Sequence, residues 1–440
     1  MNKKKAELCN VSSFPGGAHA VNADVQSGAI APHEFSMRPV VEIDRYLLKW
    51  LLKAMGAPPV RFLLWNGEEV SGGMDPCVAR VFIADRAALL RLIANPDLHF
   101  GDLYESGRVR VEGDLVEFLE CVYHASAAVP PRGLAQRLIS RTRPARPNTL
   151  TGSRSNIHRH YDIGNDFYRL WLDEQMVYTC AYFASPGATL EQAQVAKMDH
   201  VCRKLRLHPG ERVVEAGCGW GSLARHMARH YGVKIRAYNI SHEQIVYARE
   251  RAKAEGLEGL VEYVEDDYRN ISGEFDAFVS VGMLEHVGVE HYQELGDVIH
   301  QCLKVGGRGL IHSIGRNRPK PMNAWIEKRI FPGAYPATLA EMMQIFEPSE
   351  FSVLDVENLR LHYARTLEHW LWRFEKASDR VMAMFDVSFV RAWRLYLAGS
   401  IAAFRVGDMQ LFQILFASRD NNDVPWTRNH LYTATERTES

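Results

Sequence analysis

Residues 213–224 read VVEAGCGWGSLA. An apolar run ends at Glu215 and Ala216 and breaks into three glycines at alternate positions, Gly217, Gly219 and Gly221, where a helical pattern begins. Glycines at such a junction let a strand turn sharply into a helix and let the backbone approach a ligand closely, because no Cβ intervenes. Outward from this turn, strand and helix patterns alternate: strand 212–216, helix from 221, strand 233–239, helix 241–256, strands 261–265 and 276–282, helix 291–304, strand 308–314. That alternation predicts an α/β fold, a doubly wound, mostly parallel sheet covered by helices on both faces. The run MQLFQILFA (409–417) is expected to add an edge strand. The insert 316–349 is too long for an ordinary connection and is expected to form a helical lid over the site.

Two kinds of nucleotide ligand suit a glycine turn after a strand. Dinucleotide sites usually carry Gly-x-Gly-x-x-Gly and, about 20 residues on, an acid for a ribose hydroxyl. Here the spacing is Gly-x-Gly-x-Gly, and the second strand ends Arg236-Ala237-Tyr238-Asn239, without an acid. The third strand instead ends Glu265-Asp266-Asp267, where a carboxylate can accept a hydrogen bond from an adenine amino group, as in enzymes that use S-adenosylmethionine (SAM). The same aspartates also suit loop capping. The fourth strand runs DAFVSVGMLEHVG (276–288), an apolar stretch that ends in Glu285 and His286. The carboxyl ends of parallel strands form the crevice where such folds bind ligands, which gives these two ionisable groups a reason to be there.

At 440 residues the chain can bury more than one core, and two domains are expected. Hydrophobic residues make up 47% and charged residues 24%, with a mean hydropathy of −0.22, the balance of a soluble globular protein. A net charge of −1 gives no global reason to expect nucleic acid or an anionic membrane as partner, so any such affinity must be local. Seven cysteines without a Cys-x-x-Cys pair argue against a disulfide framework or zinc ribbon and suit a reducing cytoplasm. No uninterrupted run of about 18 apolar residues points to a membrane span.

Residues 1–36 read as a disordered leader, 37–128 as a small α+β domain, 129–154 as an Arg/Pro-rich linker, 155–420 as the catalytic domain and 421–440 as a tail. In the small domain, Ile43, Tyr46, Leu47, Trp50, Leu51 and Ala54 recur at helical spacing with Lys49 and Lys53 outside. That helix either packs onto its own domain or meets lipid. No acid lies between Glu120 and Asp162, whereas Arg132, Arg137, Arg141, Arg143, Arg146, Arg154 and Arg159 all do. They read as a solvated tether or as an electrostatic contact with anionic lipid.

A more specific likeness rests on HRHYDIGNDFY (158–168), MVYTCAYF (176–183), GCGWGSLA (217–224), ISHEQ (240–244), DDYR (266–269), FVSVGMLEHVG (278–288), LIHSIG (310–315) and FRVGDMQLFQILF (404–416). With these motifs in this order, residues 155–418 resemble the cyclopropane-fatty-acyl-phospholipid synthase family, whose fold is that of class I SAM methyltransferases. The N-terminal part, with FGDLYESGRVRVEGDL (100–115), resembles the extension of longer members and is also similar to sterol-carrier-like domains.

The resemblance implies transfer of the SAM methyl carbon to the cis double bond of an unsaturated acyl chain in a membrane phospholipid, closing a cyclopropane ring. An alkene is a poor nucleophile, so the methyl must be held close and in line. The cation formed needs a dry site lined by aromatic faces, for which Tyr178, Tyr182, Phe183 and Trp370 are candidates. A proton must then leave. The resemblance implies that bound bicarbonate takes it, held by Glu285, His312, Tyr363 and the backbone of Cys180 and Ile314. Glu285 would accept the bicarbonate hydroxyl proton while His312 and Tyr363 donate hydrogen bonds; His286 reads as structural, and Cys180 as a main-chain ligand rather than a nucleophile. Implied SAM contacts fall on Tyr161, Gly217, Gly219, Asn239, Gln244, Asp266 and Asp267. Also implied are a homodimer and peripheral association with the inner face of the membrane, with no metal.

Some positions depart from the family pattern. Glu215 stands for the Asp of VLDIGCG, Asn239 for a common Thr, and Ala364 for an Asp after Tyr363. They leave room for a sibling chemistry giving methyl-branched, methylene or furan-type products. Two further readings are a SAM methyltransferase for a soluble small molecule and a lipid-binding protein without catalysis.

Overall fold

A computed structural model of the chain describes residues 39–71, 77–127 and 163–432. The expected leader 1–36, the arginine-rich linker 129–154 and Tyr161 lie outside the described residues.

The N-terminal unit comprises α1 (Glu42–Ala54), β1 (Val60–Leu63), β2 (Glu69–Ser71), β3 (Ala79–Ile83), α2 (Arg86–Ala94), α3 (Pro96–Glu105), β4 (Val109–Glu112) and α4 (Leu115–Ala127). Its strands lie in the order β2-β1-β3-β4. Of the α1 residues read as one apolar face, Ile43, Tyr46 and Trp50 are turned outward, at 55%, 65% and 43% exposed, while Leu51 is buried; Lys49 and Lys53 are exposed. The buried face is Asp44, Leu48, Leu51 and Leu52, at the i, i+4, i+7, i+8 spacing of one helix side. Asp44 explains the rotation. Its carboxylate takes two hydrogen bonds of 2.8 Å from Arg86 and one of 2.9 Å from the Val41 amide. A buried acid needs such partners, and reaching Arg86 carries the neighbouring leucines inward with it.

After a helical turn at Asn165–Tyr168, the larger part continues with α5 (Leu190–Leu205), β5 (Arg212–Ala216), α6 (Ser222–Tyr231), β6 (Lys234–Asn239), α7 (His242–Ala254), β7 (Val261–Glu265), β8 (Phe275–Val281), α8 (Tyr292–Cys302) and β9 (Leu303–Arg316). It closes with β10 (Ala337–Thr338), β11 (Ser352–Asn358), α9 (Arg360–Lys376), α10 (Ser378–Met384), α11 (Val387–Val406) and β12 (Gln410–Ala417). The main sheet runs β11-β12-β9-β8-β5-β6-β7, with β10 beside β9. Strands β5 to β9 pair in parallel, and apolar clusters cover both faces. This is the doubly wound α/β architecture that the alternation predicts.

One strand is placed differently from expectation. β12 is internal rather than an edge: it pairs antiparallel with β9 on one side and β11 on the other, and all eight of its residues are buried. β11 takes the edge, and its partly exposed SVLDVEN has too weak a burial alternation to stand out in sequence. The insert 316–349 holds a π-helical turn (Ile326–Ile330), β10 and one helical turn (Leu339–Met342) rather than a long helix.

The two parts share one apolar cluster, from Leu48 in α1 to Trp393 in α11. Trp325 of the insert lies against Gly101 of α3, where a Cβ would stand 2.3 Å from the indole. Arg329 bonds Asp102 at 3.1 Å, and Arg405 bonds Glu120 at 2.9 Å.

Candidate active site

A cavity opens at the carboxyl ends of β5 to β8. Six of the expected cofactor residues line it: Gly217, Gly219, Asn239, Gln244, Asp266 and Asp267. Gly217 has φ +83°, and a Cβ there would stand 2.9 Å from Met283 Cβ. Gly219 has φ +54° with open space beside it. Packing therefore requires the first glycine, and the second leaves room for a ligand.

The polar groups divide by what already holds them. Asn239 Nδ2 donates to Gln244 Oε1 at 2.8 Å and to the Gly219 carbonyl at 3.3 Å, tying the second strand to the glycine turn. Both oxygens of Asp267 are taken by Arg269, at 2.7 and 2.9 Å, which makes this acid the loop-holding one. Asp266 Oδ1 accepts from the Asp267 amide and Asn270, both at 2.8 Å. Three further cavity residues are Thr179, Lys197 and Glu215. Lys197 had a signal in the sequence: it interrupts the apolar stripe of α5 made by Leu190, Ala193 and Val201.

Behind the cavity stand the residues expected to hold a base. Glu285 sits in a single 3₁₀ turn (Leu284–His286) after β8, and the Tyr335 amide of the insert donates to its carbonyl at 2.8 Å. The Ile314 amide donates to Glu285 Oε1 at 2.6 Å, so this N–H is committed to the acid, whereas it was expected to serve an anion. Glu285 Oε2 is buried without a partner. Burial pushes the carboxyl up to about 7, against the opposing pull of the Ile314 amide.

His312 lies two residues before Ile314, on the same face of β9. Burial, then the nearby Lys197 and Lys204 cations, hold its imidazole well below the usual histidine range, hence neutral. Gln413 Nε2 meets Nδ1 at 3.0 Å, so Nδ1 accepts and the ring proton resides on Nε2, which is buried without a partner. One buried acceptor and one buried donor are thus both uncommitted. Gln413→Leu should release the tautomer and lower kcat roughly tenfold, the worth of about one buried hydrogen bond, with the KM for SAM unchanged. Steady-state kinetics with SAM varied checks this.

Cys180 and Tyr363 belong to the large apolar cluster and do not line this cavity. Burial pushes the Cys180 thiol far up, which removes it as a nucleophile. Tyr363 packs on Phe404 with ring centroids 4.7 Å apart. Among the aromatic candidates, Tyr178 lines the cavity, its hydroxyl 2.9 Å from that of Tyr396, and Trp370 stands 5.2 Å behind it. Tyr182 is stacked between His200 and His362 at 4.3 and 4.7 Å, and Phe183 lies against His369; neither lines the cavity. His286, read as structural, does line it, with its imidazole pulled down to about 4 by burial.

This sheet order with this glycine turn and cavity defines a class I SAM-dependent methyltransferase. The family model for mycolic acid cyclopropane synthetase matches residues 148–414. A probable fatty acid methyltransferase of Pseudomonas putida is 36% identical over 386 residues, 85% of this chain and 96% of that protein. The cyclopropane-fatty-acyl-phospholipid synthase of Escherichia coli (strain K12) is 40% identical over 266 residues, 60% of this chain and 68% of its own length. A crystal structure of a mycolic acid cyclopropane synthase complexed with SAH and CTAB matches with a TM-score of 0.58 at 28% identity, covering 60% of this chain and 98% of that one. The chain belongs to the mycolic acid cyclopropane synthetase family and is a SAM-dependent methyltransferase of the cyclopropane synthase type.

Proposed function

We propose that the protein adds the methyl carbon of SAM to the cis double bond of an unsaturated acyl chain in a membrane phospholipid and closes a cyclopropane ring. The methyl carbon leaves sulfur and bonds to one alkene carbon; after one of its protons leaves, it bonds to the second. The observation that carries this reading is that Glu285 Oε2 and His312 Nε2 are each buried and uncommitted, on the segment that follows β8 and on β9. Ring closure must remove a proton from a carbon-bound methyl in a dry site, a task suited to a buried acid and imidazole that can hold a base. Glu285, His312 and Tyr363 would hold a bicarbonate ion, Glu285 taking its hydroxyl proton and His312 and Tyr363 donating hydrogen bonds to its oxygens. When bound, that anion supplies the base. Tyr178 offers its ring face to the positive charge that develops on the acyl chain.

Work at the inner face of the membrane, from the cytoplasm and as a homodimer, is part of the same reading. No helix among the described residues is long and apolar enough to cross a membrane. The outward face of α1, with Ile43, Tyr46 and Trp50 beside Lys49 and Lys53, has the chemistry of a helix lying in an anionic lipid interface.

The test is incubation with SAM and vesicles of unsaturated, anionic phospholipid, followed by mass analysis of the fatty acids. A gain of one CH2 with loss of the double bond is expected. Retention of the double bond would favour the methyl-branched or methylene chemistries, and turnover only with a soluble acceptor would overturn the lipid reading. Replacing both Ile43 and Trp50 by Glu should reduce conversion on vesicles several-fold while leaving SAH affinity intact.

A further inference from the structure

The turn between α10 and α11 carries apolar side chains that its own fold leaves in water. Met382, Met384, Phe385 and Val387 fall within six residues and are 47%, 44%, 38% and 46% exposed. Large apolar side chains grouped on a surface identify a place that another apolar body covers. The charges beside it in sequence balance, Lys376 and Arg380 against Asp379 and Asp386. Two of these are already engaged: Asp386 accepts from the Phe389 amide at 2.7 Å, and Lys376 lies 3.6 Å over the Trp372 ring. A strongly charged partner therefore meets no complementary field here.

The patch is also the outer end of a path into the molecule. Phe385 stacks on Phe389 with centroids 4.1 Å apart, and Phe389 on Trp393 at 5.5 Å, three rings at four-residue spacing along one side of α11. Phe167, in the helical turn Asn165–Tyr168, meets all three edge-on at 5.6, 5.3 and 4.9 Å. Trp393 contacts Trp171 at 5.9 Å, and Trp171 contacts Tyr178, a wall of the cofactor cavity, at 5.3 Å. Exposure falls to 3% at Trp393 and to 0% at Phe167 and Trp171. An apolar seam thus runs without a break from the surface patch to the cavity.

We propose that the α10–α11 turn docks into the hydrocarbon edge of a phospholipid bilayer, where the outer end of this seam meets the acyl chains. Met382 and Met384 suit that role, because flexible thioether side chains pack against chains of varying shape. The proposal rests on the reading that the acceptor is an acyl chain of a membrane phospholipid, and it adds a second lipid contact to that of α1.

The test uses the full-length protein and vesicles of an unsaturated phosphatidylcholine, which carries no net charge. Co-sedimentation, conversion of the lipid and calorimetry with SAH are measured together. Replacing both Met382 and Met384 by Glu should weaken vesicle binding and lower conversion at least about tenfold, with SAH affinity within about twofold of wild type. Val387→Glu keeps the start of α11 intact, since an acid suits the first turn of a helix, and it should weaken vesicle binding several-fold. Vesicle binding at the wild-type level in both variants overturns the proposal. A parallel loss of SAH affinity in both overturns it too, because damage to the fold or cavity would then explain the result. So does a lipid-free wild type that light scattering finds dimeric while both variants are monomeric, which would assign the patch to a second copy of the chain. Wild-type binding to the vesicles without conversion of the lipid would overturn the phospholipid reading itself, and with it the role given to the seam.

Discussion

Glu285→Gln is expected to lower turnover on lipid by roughly 100- to 10,000-fold, the range for removing an acid–base group, while SAH affinity changes less than about twofold. Amide for carboxylate keeps size and burial but cannot take a proton. The wild-type kcat/KM should rise with pH along a limb centred near 7, where burial has moved this carboxyl, and the limb should be absent in the variant. The same shift sets an opposite trend in stability. Below about 4.5 the carboxyl is protonated in both the unfolded and native states and pH has no effect. Between 4.5 and 7 the unfolded chain ionises while the native one does not, so stability falls, by about 3 kcal/mol once pH passes 7. Glu285→Gln should therefore melt above wild type at pH 8 and near it at pH 4.5. Glu215, pushed up to about 7 by burial, adds a second loss of the same sign, so wild type should lose stability across this window even more steeply. Unchanged turnover in the variant would remove Glu285 from the chemistry.

Gly217→Ala is the second large expected effect, and it differs in kind. The residue has φ +83°, and its new methyl would meet Met283 Cβ at 2.9 Å, backed by the turn that carries Glu285. Left-handed strain and overpacking together should cost roughly 2 to 4 kcal/mol, lower the melting temperature and weaken SAH binding by more than tenfold. Gly219→Ala provides the contrast. No atom stands within 4 Å of its added Cβ, so the fold loses about 1 kcal/mol for the backbone alone, whereas the cavity loses space for the ligand. SAH titration with paired thermal melts separates the two: Gly217→Ala should lose both stability and affinity, and Gly219→Ala mainly affinity. Equal melts for the two variants would show that Met283 yields easily and that packing does not require the first glycine.

Much of the architecture was legible because it is written in short-range pattern. Strand and helix alternation follows from side-chain periodicity, and three glycines between a strand and a helix mark a sharp turn where the backbone can approach a ligand. The carboxyl ends of β5 to β8 could thus be identified, and Glu285 with them. Less legible were choices that depend on what lies opposite in space. The periodicity of α1 grouped Ile43, Tyr46 and Trp50 with Leu51, whereas the buried side is that of Asp44, which is held by Arg86, 42 residues away. β12 read as an edge strand because its partner β11 carries a weak pattern, yet pairing on both sides buries it completely.

The glycine turn and the doubly wound sheet were determined by the sequence alone, since they depend on backbone freedom and periodicity. Tertiary structure alone decided which groups are committed and which are open. Arg269 occupies Asp267, the Ile314 amide occupies one oxygen of Glu285, and Gln413 directs the His312 proton to Nε2. It also placed Lys197 of α5 in the cavity that holds Glu215 of β5. Hydrogen-bond capacity is finite and burial makes each unmet group costly, so reactivity depends on what three-dimensional neighbours leave unsatisfied.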